Sequence, residues 1–237
     1  MANLHLLLWA WLIHSAFANV EKTIFVAPAA EPPPQDASID SLLLTRLSEQ
    51  HPLARTFLNA SFPTADSPKG VETWFLLEGL RPQRRYEVRI CWLATQPTSF
   101  WLYTQTVQKA FETPELLTSL SAYSYARRGQ LGAREKQSLQ LRKADSVARD
   151  STFLFLQVFA AADYFSLNET LMAMVPPIAV DVILDPYILN VFPKSLLPTG
   201  LYLLLIATGA WFLSGWISHL LSVTPLAGPA EETKKGK

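Results

Sequence analysis

Two uninterrupted apolar runs bracket a chain whose middle alternates. Near the start, Leu4 to Ile13 is a short apolar block followed by Ala16-Phe17-Ala18, a small-x-small pattern that predicts a signal peptide over 1–18, cleaved after Ala18. No Lys or Arg precedes the block, so an uncleaved N-terminal anchor is the alternative. Near the end, Gly200 to Val223 contains no Asp, Glu, Lys or Arg. A helix of that length reaches roughly 35 Å, enough for a hydrocarbon core of about 30 Å. Pro198 and Pro225 flank the run, and Tyr202, Trp216 and His219 sit toward its ends, where amphipathic rings favour the interface. The pattern predicts a transmembrane helix over 198–223.

Between these runs the apolar residues come in short blocks bounded by Pro and Gly. Val20 to Val26 alternates and predicts a first strand, which Pro28 and Pro32-Pro33-Pro34 end in an extended loop. Ser41 to Leu47 fits a short helical turn or a buried strand equally well. Glu72 to Leu77 leads through Gly79-Leu80-Arg81-Pro82 into Tyr86 to Trp92, where Tyr86, Val88 and Ile90 share one face. That arrangement resembles the turn and tyrosine corner of fibronectin type III and immunoglobulin-like sandwiches. Phe100 to Tyr103 is expected as the neighbouring strand, and Thr152 to Phe159 and Ile178 to Leu184 as buried strands continuing the sheets. The expected fold is mainly β: an immunoglobulin/fibronectin III-like sandwich over 19–197, then one C-terminal membrane helix.

Residues 119–150 break this pattern with Arg127, Arg128, Arg134, Lys136, Arg142, Lys143 and Arg149 among Gln, Ser and Gly. A helix over Ala133 to Ala148 has too few apolar positions to bury a face. A solvated loop or exposed helix is favoured over a basic surface that meets lipid phosphate. Acidic and basic side chains balance at 20 each, which speaks against a nucleic-acid partner. Cys91 is the single cysteine, so no intramolecular disulfide forms, and a buried free thiol is expected in the strand around it. The sequons Asn59-Ala60-Ser61 and Asn168-Glu169-Thr170 make Asn59 and Asn168 glycosylation candidates.

No catalytic, cofactor-binding or metal-binding residue is assigned. His51, beside Pro52, is the one histidine between the expected cleavage site and the expected span, and no Gly-rich phosphate loop, nucleophile elbow or paired Cys/His spacing occurs. Asp181 and Asp185 are the nearest approach to a carboxylate pair. Four apart in a strand, they stand roughly 13 Å apart, too far for one reacting centre, and Asp185-Pro186 reads as turn initiation. In the span, Ala207, Ala210, Ser214 and Ser218 fall within about 80° on a helical wheel, a small-residue face suited to a partner helix.

The last residues, Lys234-Lys235-Gly236-Lys237, resemble a dilysine retrieval signal, with Lys234 and Lys235 read in the cytosol by the COPI coat. A cleaved signal then makes the chain a single-pass type I protein of the endoplasmic reticulum membrane, its bulk luminal and its tail, 224–237, cytosolic. The signal, Val20-Glu21-Lys22-Thr23-Ile24-Phe25 directly after it, Leu80-Arg81-Pro82 to Trp92, Phe153 to Phe165 with the second sequon, Val180 to Pro186, one span and the lysine tail together resemble the fungal co-activator of GPI mannosyltransferase II. The resemblance implies a noncatalytic subunit, without a cofactor, of the polytopic enzyme that adds the second mannose of the GPI precursor from dolichol-phosphate-mannose. Two alternatives belong to other classes. A p24-like cargo receptor shares the architecture but has a coiled-coil neck and a disulfide, which a chain with one cysteine and no sustained heptad lacks. A membrane-anchored luminal enzyme lacks a recognisable site here.

Overall fold

The computed structural model describes residues 19–29, 39–132 and 152–223. The chain divides into two units, one ending at Lys194 and one beginning at Ser195. The first unit holds β1 (Val20–Val26), a 3-10 turn (Ile39–Leu42), β2 (Thr45–Leu47), β3 (Leu53–Leu58), β4 (Val71–Leu80), β5 (Arg85–Trp92) and β6 (Thr98–Thr106). It continues through α1 (Val107–Glu112), α2 (Pro114–Gln130), β7 (Thr152–Ala162), α3 (Glu169–Ala173), β8 (Ile178–Ile188) and β9 (Phe192–Pro193). The second unit is built on α4 (Leu197–Val223). Residues 1–18, the Ala133 to Ala148 segment and the lysine tail lie outside the described residues.

The strands form two sheets, as the alternation predicts. One runs β1-β5-β8-β3 with β9 paired to β8; the other runs β2-β4-β7-β6. Their inner faces meet in one core: Tyr86, Val88 and Ile90 of β5 and Val180, Val182 and Leu184 of β8 pack against Phe75 and Leu77 of β4 and Leu156 and Val158 of β7. Each fully buried side chain of this size contributes about 1.5–3 kcal/mol of transfer free energy, which makes this face the dominant stabilising element. The expectation that Phe100 to Tyr103 neighbours β5 is corrected: β6 pairs with β7 in the opposite sheet. Ser41 to Leu47 satisfies both of its readings, since the 3-10 turn ends at Leu42 and β2 then pairs parallel to β4.

The tyrosine corner is present. The Tyr86 hydroxyl accepts from the Arg81 backbone N–H at 2.9 Å and donates to Glu49 Oε1 at 2.5 Å. Burial and the bond to Glu49 push the phenol up to about 12. At the other end of β4, Gly70 has φ +74°, and a Cβ there would stand 2.1 Å from the Ala160 carbonyl oxygen, so only glycine fits.

The outer face of the β4–β7 sheet is covered by α1, which the sequence pattern does not predict, and by α2, whose second half meets the exposed-helix reading of 119–150. Trp74, Leu76 and Phe155 pack with Leu44, Ala110 and Leu120. Thr106 caps α1 by accepting from the Lys109 N–H, and Pro114 occupies the first turn of α2. Residues 119–130 are therefore neither loop nor free basic surface. Arg127 donates to Leu43 O at 2.7 Å and Thr45 Oγ1 at 2.8 Å, pinning α2 to β2, and Arg128 reaches Ser41 O. The rest of α2 is mainly exposed, as the sequence leads one to expect.

Candidate functional site

The outer face of the β1-β5-β8-β3 sheet carries the main cluster of charge, and no helix among the described residues of the first unit covers it. Alternation sends Lys22 of β1, Glu87 and Arg89 of β5, Asp181 and Asp185 of β8 and Arg55 of β3 to this side, and antiparallel pairing sets Glu87 directly opposite Asp185. Lys22 Nζ lies 3.2 Å from Glu87 Oε2, and Arg89 Nη1 lies 3.5 Å from Glu87 and 3.9 Å from Asp185. The two central carboxylates are buried: Glu87 is 3% exposed and Asp185 4%. Buried acids need charged partners to stay ionised without a large desolvation cost, and Arg89 stands between them in that role. The Tyr187 hydroxyl, 3.4 Å from Glu87, is pushed up by burial and by that carboxylate.

At the edge of the same face, Arg55 grips Asp181 bidentately through Nε and Nη2, both at 2.8 Å. The guanidinium holds the Asp181 carboxyl below its ordinary value. Asp181 and Asp185 thus serve different arginines, which agrees with the separation read from the sequence. Around the ladder Ile24, Val26, Leu53 and Phe57 are exposed, Phe57 at 72%. Charged pairs ringed by apolar side chains form a surface that another protein can match in shape and sign.

Cys91 lies beside this ladder, paired with Val20 on one side and Asp181 on the other. It is half-buried rather than buried, because its strand position faces outward, away from the core. Burial raises its thiol pKa, with Arg89 opposing the shift, so it is not an activated nucleophile.

Asn59 is exposed just after β3, and Asn168 is exposed at the start of α3, where its Oδ1 accepts from the Thr170 N–H at 3.0 Å. His51, in the turn before β3, has its backbone N–H bonded to Ser48 Oγ. Among the described residues no group of His, Cys, Asp and Glu is arranged to hold a metal ion.

The second unit's α4 is long and apolar enough to cross a membrane, with a mean hydropathy of 1.8 in its most apolar 18-residue window. Ala207, Ala210, Ser214 and Ser218 are exposed along it. Thr208 turns its hydroxyl back to Leu204 O, and Trp211, Phe212 and Trp216 are exposed along the same helix.

Sequence reasoning missed the ladder as a unit. Its signal was available in the period-2 order Glu87, Arg89 and Asp181, Ile183, Asp185, but the register that sets Glu87 against Asp185 is a tertiary fact. No curated protein and no solved structure matches the chain. A family model described as Pga1, GPI-mannosyltransferase II co-activator, matches residues 10–123, from the N-terminal apolar block to α2, and offers the cargo-receptor alternative no support. That family acts as a co-activator and not as the catalyst, in keeping with a site made of paired charges and exposed apolar groups. Residues 10–123 of the chain are thus similar to the Pga1 family of GPI-mannosyltransferase II co-activators.

Proposed function

We propose that this chain is a single-span, type I subunit of the endoplasmic reticulum membrane that supports the polytopic mannosyltransferase adding the second mannose to the GPI precursor. The family match carries the reading. Two surfaces fit such a role. In the membrane, the face of Ala207, Ala210, Ser214 and Ser218 allows a helix of the enzyme to approach closely, where packing rather than hydrophobic burial drives association. In the lumen, the charged ladder with Ile24, Val26, Leu53 and Phe57 offers the enzyme a docking face; the corresponding face of the other sheet is occupied by α1 and α2. Asn59 and Asn168 are available for glycan in this topology, and Lys234 and Lys235 serve as a COPI retrieval signal.

The test is recovery of the multispanning enzyme with this protein from mild detergent. Comparable amounts of both are expected with the natural chain. Ala210→Leu with Ser214→Leu reduces recovery if the span packs on the enzyme, and Phe57→Asp reduces it if the ladder face docks. Unchanged recovery with both variants removes both surfaces from the interface, and failure of the natural chain to recover the enzyme removes the subunit reading itself.

A further inference from the structure

The short turn between β8 and β9 exposes apolar side chains at an energetically awkward place. Val191 N–H donates to Ile188 O at 3.1 Å, closing a turn whose central residues, Leu189 and Asn190, have φ of 51° and 58°. Two left-handed central positions define a type I′ turn, which favours Asn, Asp and Gly. Asn190 suits that geometry; Leu189 does not, and it is 91% exposed besides, with Val191 at 77% and Phe192 at 39%.

The turn is also held rigidly. Asn190 Oδ1 accepts from the Arg85 N–H at 2.8 Å, and its Nδ2 donates to Gln83 O at 3.0 Å, locking this turn to the one between β4 and β5. Arg84 Nε adds a bond to Tyr187 O at 3.0 Å. An open groove of about 560 Å³ runs between the two turns, lined in part by Arg81, Arg84, Leu189 and Asn190. Arg81 and Arg84 are in its wall, and Arg85 follows them in sequence at the start of β5. Glu49 is shared by Arg81 at 3.6 Å and Arg84 at 3.0 Å, so the cluster keeps a net positive charge, with the Arg81 side chain 72% exposed.

A rigid apolar tip beside a cationic rim matches a lipid surface, where leucine, valine and phenylalanine enter the acyl boundary and guanidinium groups meet headgroup phosphate. Chain continuity selects this occupant over a soluble one. Phe192 precedes the first residue of α4, Leu197, so closely that an extended chain spans at most about 17 Å between them. We propose that the Ile188 to Phe192 turn, with Arg81 and Arg85, docks on the surface of the bilayer that α4 crosses. The proposal rests on α4 being a span.

The test uses the full chain with Cys91→Ser and Val191→Cys, labelled with an environment-sensitive NBD dye, in phosphatidylcholine vesicles that hold doxyl-labelled lipid. A label at Ser67→Cys, in the loop at the opposite end of β4, is the reference. Docking predicts blue-shifted emission at 191, quenching by the doxyl lipid, and iodide quenching several-fold weaker than at 67. Adding Leu189→Asp restores iodide access at 191 while leaving the unfolding midpoint within that of its parent. Equal iodide quenching at 191 and 67 overturns the proposal. So does protection from iodide without doxyl quenching, which marks contact with a second copy of the chain. If alkaline carbonate strips the protein from the vesicles, the span fails first and the docking with it; retention with an accessible label defeats docking alone.

Discussion

The outer faces of the two sheets solve the same problem in opposite ways. On the β4–β7 sheet, Trp74 and Phe155 meet edge-to-face with centroids 6.2 Å apart, and α1 and α2 close over them. The few polar groups there are tied inward: Trp74 Nε1 donates to Ser119 Oγ at 3.2 Å, Ser119 bonds Glu72, and Gln157 Nε2 donates to Glu72 at 2.6 Å. On the β5–β8 sheet the equivalent positions are charged, their partners lie in the same plane, and no helix among the described residues of the first unit covers them. A face closed by the chain's own helices is specialised for stability. A face that pairs its charges within one layer and leaves Phe57 in solvent has more to offer a partner than to the fold.

Substitutions sharpen that contrast, and the covered face should show the largest effects. Trp74→Ala removes a side chain with no exposure, its ring contact and its hydrogen bond, and should cost about 3–5 kcal/mol of stability in denaturant unfolding of the full chain in detergent. Next comes Arg46→Ala. Arg46 and Glu78 pair at 3.0 Å with each side chain only 8% exposed, and breaking this buried pair should cost about 3 kcal/mol. A loss near zero would mean that water reaches Glu78.

Tyr86→Phe follows, at about 1–2 kcal/mol, because it orphans the Arg81 N–H and removes a donor from Glu49. The pH sign is definite. The folded phenol titrates near 12 against an ordinary 10.0, so its contribution is complete below pH 10 and is lost as pH rises toward 12. Absorbance of the phenolate, followed alongside unfolding, checks it; a Tyr86→Phe chain whose alkaline loss of stability is unchanged would sink this assignment.

The open face should respond least. Phe57→Ser is expected to shift stability by no more than about 0.5 kcal/mol, since the ring is exposed already. Arg55→Ala should show the smallest effect, visible as a lost acid dependence. The Asp181 carboxyl titrates below its ordinary value, so the pair contributes above that value and fades as pH falls through the carboxylate range. The contrast between the faces breaks if Phe57→Ser destabilises as much as Trp74→Ala.

Much of this architecture was legible without coordinates. Tyr86, Val88 and Ile90 face inward because a strand alternates with period 2, and the Leu80-Arg81-Pro82 turn placed the tyrosine where its hydroxyl reaches the Arg81 N–H. The apolar run from Gly200 forms α4 because twenty-odd residues without charge have one low-energy conformation in a water-poor environment, the helix. These features are local: each follows from neighbours within a turn or a few strand positions. The helix α1 and the docking of α2 escaped because polar helices that bury only Ala110 in one and Leu120 and Ser124 in the other carry a weak periodic signal, and their place is set by Trp74 and Phe155 beneath them. The ladder escaped for a related reason. Arg55 and Asp181 lie 126 residues apart, and only strand order brings them within 2.8 Å. Composition and spacing determined which residues face in and which run is long and apolar enough to cross a membrane; pairing between distant strands decided which charges meet, because that depends on register, and register is a property of the assembled sheet.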